Sequence, residues 1–599
     1  MRLLALALCF LFALRVGAVP NPGDVDARRK QLNDLITEYW EYSLKQSPVF
    51  ASIIGDKRYN DQLGSDSEKA ILEDQAQKKA FLKRFEAIDT TGFATQDKLN
   101  RELEVRDLRN DIEEIDLKLW EMPVSQVSGI HIQAPQLVSI LSFETVKDYE
   151  DYIARLGQMP RVFEENTDDM RKGMANHLMP PKFLLEKAVV QTEGIASQAP
   201  EQTPFAQPFD KFPANFSDAD KTRLKAAGIA AIRDQVLPAY AKFAKFVKDD
   251  YAPNGRTDIG IWSLPNGDAI YAFMVKRSTT TDKTPEQIHQ IGLQQVAMIE
   301  DQELQIAKSL GFKDLKTFEA AVKANPKLFA ASREQILDLY RGYIAQMEPE
   351  LPKLFNRLPK AKCVVMPVES FREKDASGAS YVPGTPDGSR PGHIMVNTSD
   401  PEKRTTVDME STAYHEGIPG HHMQLSIAQE MPDLPPFRQH GFYGAFIEGW
   451  ALYSEQLGKE VGFYKDPYND YGRLEDQQLR AIRLVVDTGI HYKHWTRDQV
   501  VQYFHDHSAI DEPNVQSETN RYISWPGQAL SYKMGQLKIL ELRARAQQEL
   551  GSKFDIREFH DQVIDSGALP LDVLDQQIND WIAQKQATSA GQNQASSHK

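Results

Sequence analysis

The chain has 599 residues, 41% hydrophobic and 26% charged, with 85 acidic against 70 basic side chains and a formal net charge of −15. That length supports more than one hydrophobic core, and the composition is that of a globular protein. The negative balance argues against nucleic acid or an anionic membrane as the main partner.

The N-terminus, MRLLALALCFLFALRVGAVPNPG, reads as a secretory signal peptide over residues 1–18, cleaved after Ala18. One arginine precedes an apolar run from Leu3 to Leu14, and Val16, Gly17 and Ala18 lead into a Pro-rich start. The run is shorter than the roughly 20 apolar residues that cross a bilayer. Cys9 lies inside the run rather than at its end, which argues against lipid attachment. Its loss leaves Cys363 alone, so no intramolecular disulfide is expected. The expected product is exported, periplasmic or secreted, with no membrane anchor.

Residues 19–200 form an N-terminal helical region, with apolar residues at three- and four-residue spacing in LNDLITEYWEYSLKQ and EKAILEDQAQKKAFLKRFEAI. The Pro- and Phe-rich stretch 199–218 reads as a linker, and a helix over roughly 219–249 follows a Ser217 or Asp218 cap. IGIWSLPNGDAIYAFMVKR predicts two short strands joined at Pro265-Asn266-Gly267-Asp268. A helix begins at Pro285, behind Thr284. AKCVVMPVES (361–370) and GHIMVNTS (392–399) predict strands, separated by the loop YVPGTPDGSRP, in which Tyr381 to Arg390 could line a cleft or simply connect the strands. From residue 403 to about 585 the pattern is helical, and the polar tail 586–599 is expected to be disordered. The predicted fold is mainly α, with a small β-sheet beside the helix that carries the motif below, and residues 201–585 as the catalytic region.

HEGIPGHH, residues 415–422, opens as the zinc-protease string H-E-x-x-H does, yet Pro419 stands where the second histidine belongs. On a straight helix His421 lies about 600° round from His415, on the wrong face. His422 lies about 10.5 Å up the axis, too far for ligands about 2 Å from one ion. Pro419 removes the N–H that the His415 carbonyl would accept, and Gly420 relaxes the backbone. The helix is therefore expected to bulge or kink, absorbing the extra residues. His421 then becomes the second metal ligand, with His422 as its alternate. Glu448, a carboxylate in the apolar stretch AFIEGWAL, is the third ligand, and Glu455 seven residues on is either a supporting group or solvated. Glu416 takes the general-base role. In the bland alternative, Pro-Gly ends a helix and leaves histidines exposed at its C-terminus.

HEGIPGHHMQ, FIEGWALYSEQLG, DTGIHYKHW and RYISWPGQALSYKMGQLKILELR, in that order, resemble the bacterial family of domain of unknown function 885. That family is grouped with gluzincin metallopeptidases of the thimet-oligopeptidase-like, angiotensin-converting-enzyme-like and thermostable-carboxypeptidase-like kinds. The resemblance implies a two-lobed helical fold with a deep channel, bound Zn2+ and hydrolysis of peptide-like amides. It matches His415 and Glu416 to the first ligand and base and Glu448 to the downstream glutamate, while Pro419-Gly420 is a two-residue expansion of the motif. It also implies an oxyanion donor, for which Tyr522, Tyr532 and His491 are candidates, Asp487 standing four residues before His491 to orient it. For either tyrosine ordinary core packing is the competing reading. Arg521 could hold a substrate carboxylate or merely pair with Glu518.

The expected activity is that of an exported zinc-dependent hydrolase acting on an oligopeptide or small amide. Its rivals are a metal hydrolase of a non-peptide amide and a non-catalytic binding protein of the same fold. Two histidines and a glutamate also suit manganese, cobalt or nickel.

Overall fold

The computed structural model describes residues 22–368, 373, 376–385 and 391–596, with Pro22 and 588–596 by backbone only. The expected signal peptide and residues 386–390 of the Tyr381–Arg390 loop lie outside the described residues. The chain divides into two units, 1–46 with 69–116 and 47–68 with 117–599.

Helices α1 (Pro22–Gln46), α2 (Glu68–Glu86) and α3 (Thr95–Asp116) make up the first unit. Leu32, Leu35 and Ile36 of α1 are buried, as helical spacing demands, and the Tyr39 ring meets that of Phe81 at 4.9 Å.

In the second unit, helices between 130 and 251 enclose a core rich in aromatic rings, among them Phe163 and Tyr240 at 4.7 Å. The segment 260–279, expected as a hairpin, is helical instead: α4 spans Gly267–Thr279. The Asn-Gly pair that reads as a hairpin turn starts this helix, with Asn266 in the left-handed region at φ 57°. Gly267, Ile270, Tyr271, Phe273, Val275 and Thr279 are buried, and 267, 271, 275 and 279 recur every four residues along one helix face. The next helix, α5 (Pro285–Ser309), opens on the expected Thr284 cap, completed as a capping box by Gln287.

Three short strands form one sheet in the order β1-β3-β2: β1 (Cys363–Pro367), β2 (Ala379–Val382) and β3 (Gly392–Val396). β1 runs parallel to β3 and β2 antiparallel, so that Val365 and Tyr381 both stand opposite Ile394. Val365 and Ile394 are buried, while Val364 and Met366 alternate outward. β2 takes its second half, Tyr381 and Val382, from the stretch read as loop.

The remaining helices position the site. They include α6 (Met409–Glu416), α7 (His421–Gln429), α8 (Gly444–Glu460), α9 (Pro467–His491), α10 (Glu512–Ser524), α11 (Ser531–Leu550) and α12 (Leu571–Ser596). α12 carries helix through the polar residues expected to be disordered from 586, as far as Ser596. Glycines set two close crossings. A Cβ on Gly292 of α5 would lie 2.7 Å from Val485 of α9, and one on Gly449 of α8 would lie 2.4 Å from the Cα of Gly535 in α11. Among the described residues no helix is long and apolar enough to cross a membrane.

Candidate metal centre

The bulge or kink expected within one helix does not form; the motif divides two helices. α6 stops at Glu416, where the Gly417 N–H still reaches the Ala413 carbonyl at 2.9 Å. Residues 417–420 then fold into a short connector containing the cis Ile418–Pro419 bond, and α7 begins at His421. The Gly420 N–H donates back to Tyr414 O (3.0 Å) and the His422 N–H to Gly417 O (3.1 Å). The Pro419 carbonyl accepts the Trp450 indole N–H from α8 at 2.9 Å. Only glycine fits at 420, since a Cβ there would stand 2.0 Å from the His415 carbonyl oxygen.

Restarting the helix carries the His421 ring back over His415, with ring centroids 4.9 Å apart and planes at 90°. Glu448 Oε2 of α8 lies 3.7 Å from His415 Nε2 and 3.6 Å from His421 Nε2. Two ligands on one tetrahedral zinc stand roughly 3.3 Å apart when each bond is about 2.05 Å. His415, His421 and Glu448 each bring a ligand atom within 4.8 Å of the others, and they are the one such group among the described residues. Donor type and spacing therefore fit a divalent ion such as zinc.

The second layer is asymmetric. His415 Nδ1 donates to Glu455 Oε1 at 2.8 Å, and Glu455 is fully buried. This fixes the tautomer that leaves Nε2 toward Glu448. His421 Nδ1 is buried with no hydrogen-bond partner among the described residues. Burial alone would push the His415 imidazolium down, but the Glu448 and Glu455 carboxylates raise it to about 10. Burial likewise works to raise Glu448, yet the two imidazoles hold its carboxyl well below the usual range. The cluster thus favours a positive charge at its centre, which a divalent cation supplies in place of a proton. Glu416, at the last position of α6, is half-buried, and its carboxylate makes no hydrogen bond or ion pair among the described residues.

His422 faces the other way. Its Nδ1 accepts from the Tyr381 hydroxyl at 2.9 Å and its Nε2 donates to Ala361 O at 3.1 Å, so it ties α7 to the sheet. His491 is not oriented by Asp487, contrary to expectation. Its Nδ1 accepts the Ile261 N–H and its Nε2 donates to the Tyr522 carbonyl, both at 3.0 Å. Asp487 instead accepts from the Tyr271 hydroxyl (2.7 Å) and the Gly527 N–H. With both ring nitrogens spent on backbone and burial pushing it down to about 3, His491 has no proton to lend as a catalytic group.

The two tyrosines separate in the same way. Tyr522 is buried, its hydroxyl donating to Glu518 and accepting from Arg483 Nε at 2.9 Å. Tyr532 accepts from Arg521 Nη2 at 3.2 Å, and its own hydroxyl hydrogen has no acceptor among the described residues. Arg521 does pair with Glu518, at 3.4 Å. Sequence reasoning missed Arg483, which lies buried between Glu518 and the Tyr532 ring, 4.6 Å from the ring centroid. A lone arginine in the apolar stretch AIRLVV was the available signal, since a buried charge demands a partner.

Fold and site thus define a mainly helical protein with a buried His-His-Glu cluster across a broken helix. The family model described as bacterial protein of unknown function (DUF885) matches residues 48–578, and the chain belongs to that family. Two solved structures resemble it, both described as a "putative lipoprotein". The one from Colwellia psychrerythraea is 30% identical with a TM-score of 0.89, over 93% of this chain and 99% of that one. The one from Shewanella oneidensis, of unknown function, is 18% identical with a TM-score of 0.69, over 91% and 99%. Among curated proteins nothing matches.

Proposed function

We propose that this chain is an exported, zinc-dependent hydrolase of short peptides or peptide-like amides, with a gluzincin-like, two-lobed helical catalytic fold. The observation that carries the reading is the convergence of His415, His421 and Glu448, with Glu416 next to His415 in the chain and its carboxylate unbonded among the described residues. A zinc ion held by those three residues would supply Lewis-acid polarisation of the scissile carbonyl. Glu416 takes the proton of the attacking water and returns it to the leaving amine. Tyr532, whose hydroxyl hydrogen has no acceptor among the described residues, donates to the developing oxyanion, a role closed to Tyr522 and His491 by their own hydrogen bonds. Glu455 holds His415 in register. Export is supported by the N-terminal apolar run and by the lipoprotein description of both similar structures.

Metal content by mass spectrometry tests this reading. One zinc per chain is expected in the wild type, in His422→Ala and in Glu416→Gln, and none in His421→Ala. A peptide-library digest should then show cleavage that Glu416→Gln abolishes. Absence of stoichiometric metal after zinc is supplied would end the hydrolase reading, and manganese, cobalt or nickel in its place would reassign the ion.

A further inference from the structure

Two guanidinium groups share one carboxylate on α9 and α10. Arg483 donates to Glu518 Oε2 at 2.8 Å, and Arg521 approaches Glu518 Oε1 at 3.4 Å. Glu518 is the one carboxylate within ion-pair distance of either among the described residues, so the group carries an excess positive charge. Part of its hydrogen-bonding capacity is unspent: Arg483 Nη1 and Arg521 Nε are buried atoms with no partner among the described residues. The Arg483 side chain is only 5% exposed, a costly place for an unmet N–H; that of Arg521 is 24% exposed, its Nη2 donating to Gln528 Oε1 at 3.1 Å and to the Tyr532 hydroxyl at 3.2 Å, contacts with which an incoming carboxylate would compete.

The surroundings are amphipathic. The Arg521 guanidinium carbon lies 5.9 Å from the centroid of Trp525 and 6.0 Å from that of Tyr532. Trp525 is 38% exposed, an uncovered aromatic surface one helical turn beyond the arginine. The cluster and the metal centre are joined through two packed helices. Tyr532 stands one turn before Gly535, which is pressed against Gly449, the residue after Glu448. Lys533 beside it feels the charge of Glu455.

We propose that Arg521, backed by Arg483 and flanked by Trp525 and Tyr532, binds the free α-carboxylate of a peptide or acylamino acid whose last side chain is apolar. A planar carboxylate matches the arginine fork and supplies the missing negative charge, and the side chain beside it lies on Trp525. The enzyme is then an exopeptidase working from the carboxyl end, an inference that rests on the peptide-hydrolase reading above for its catalysis but not for its binding.

The test is calorimetric titration of N-acetyl-phenylalanine and of its amide into the full chain carrying Glu416→Gln, with and without zinc. The acid is expected to bind at least about 10-fold more tightly than the amide, as for a charge-assisted contact. N-acetylglycine should bind more weakly than N-acetyl-phenylalanine. Arg521→Met, checked for an unchanged melting temperature and zinc content, should erase the acid preference, and Arg521→Lys should keep part of it. Equal binding of acid and amide, or no binding of either, overturns the proposal. A preference that survives Arg521→Met but vanishes without zinc overturns it too, by assigning the carboxylate to the metal. Acid preference lost with Arg521 in a chain that holds no zinc and cuts no peptide would keep the subsite and remove the hydrolase reading.

Discussion

His415 and His491 are both fully enclosed, 4% and 1% exposed, and both lie on helices with a carboxylate in reach of the sequence pattern. They differ in what their nitrogens meet. His415 meets carboxylates on two sides, at 2.8 and 3.7 Å, and is raised to about 10. His491 meets a backbone N–H and a backbone carbonyl and is pushed down to about 3. Burial works in the same direction on both, so the partners decide the outcome. One cluster sets two carboxylates against an imidazole; the other is a closed hydrogen-bond knot joining the 261 region, α9 and α10.

The sharpest way to break this contrast is to remove the carboxylate proposed as the base beside the first cluster. Glu416→Gln should lower kcat by about 10²–10⁴-fold while zinc content stays at the wild-type level. Loss of metal along with activity would instead make Glu416 a structural neighbour of the ligands. Glu455→Gln should leave the ligands in place but weaken zinc affinity about 10- to 100-fold, read by competition with a chromophoric chelator. His491→Phe should do the reverse. Zinc content and per-zinc activity hold, while stability drops by about 1–3 kcal/mol for each backbone group left unpaired, measured by thermal melting.

A pH-dependent test concerns Asp487, whose carboxyl burial raises to about 7. Because the folded chain then holds a proton that the unfolded chain releases near pH 4, this group lowers stability as pH rises from about 4 to 7, and no further above that. Asp487→Asn should remove that slope, at most about 1.4 kcal/mol per pH unit. Parallel melting curves for the two proteins across that range would mean that Asp487 stays ionised in its bonds to Tyr271 and Gly527.

Much of this arrangement is legible in the sequence, because it is local. The Thr284 cap, the strands at 363–367 and 392–396, the H-E pair and the isolated Glu448 all declare themselves through spacing and polarity. Pro419-Gly420 signals that a straight helix cannot stand there, but not whether the backbone bends or stops. That depends on Trp450, 31 residues on, which meets the Pro419 carbonyl. Asp487 and His491 show the opposite failure. Their four-residue spacing permits a contact, yet Tyr271 and Gly527 claim the carboxylate, and neither is near in sequence. The segment 260–279 misleads for a similar reason: Asn-Gly serves a hairpin or a helix start equally well, and its apolar neighbours choose.

The contact of Gly449 with Gly535 links the two halves of the candidate chemistry. With no side chain on either glycine, the backbones of α8 and α11 act as their own spacer, and a single methyl group there would be a wedge driven between Glu448 and Tyr532. Neither position can change by itself without moving Glu448 on one helix relative to Tyr532 on the other.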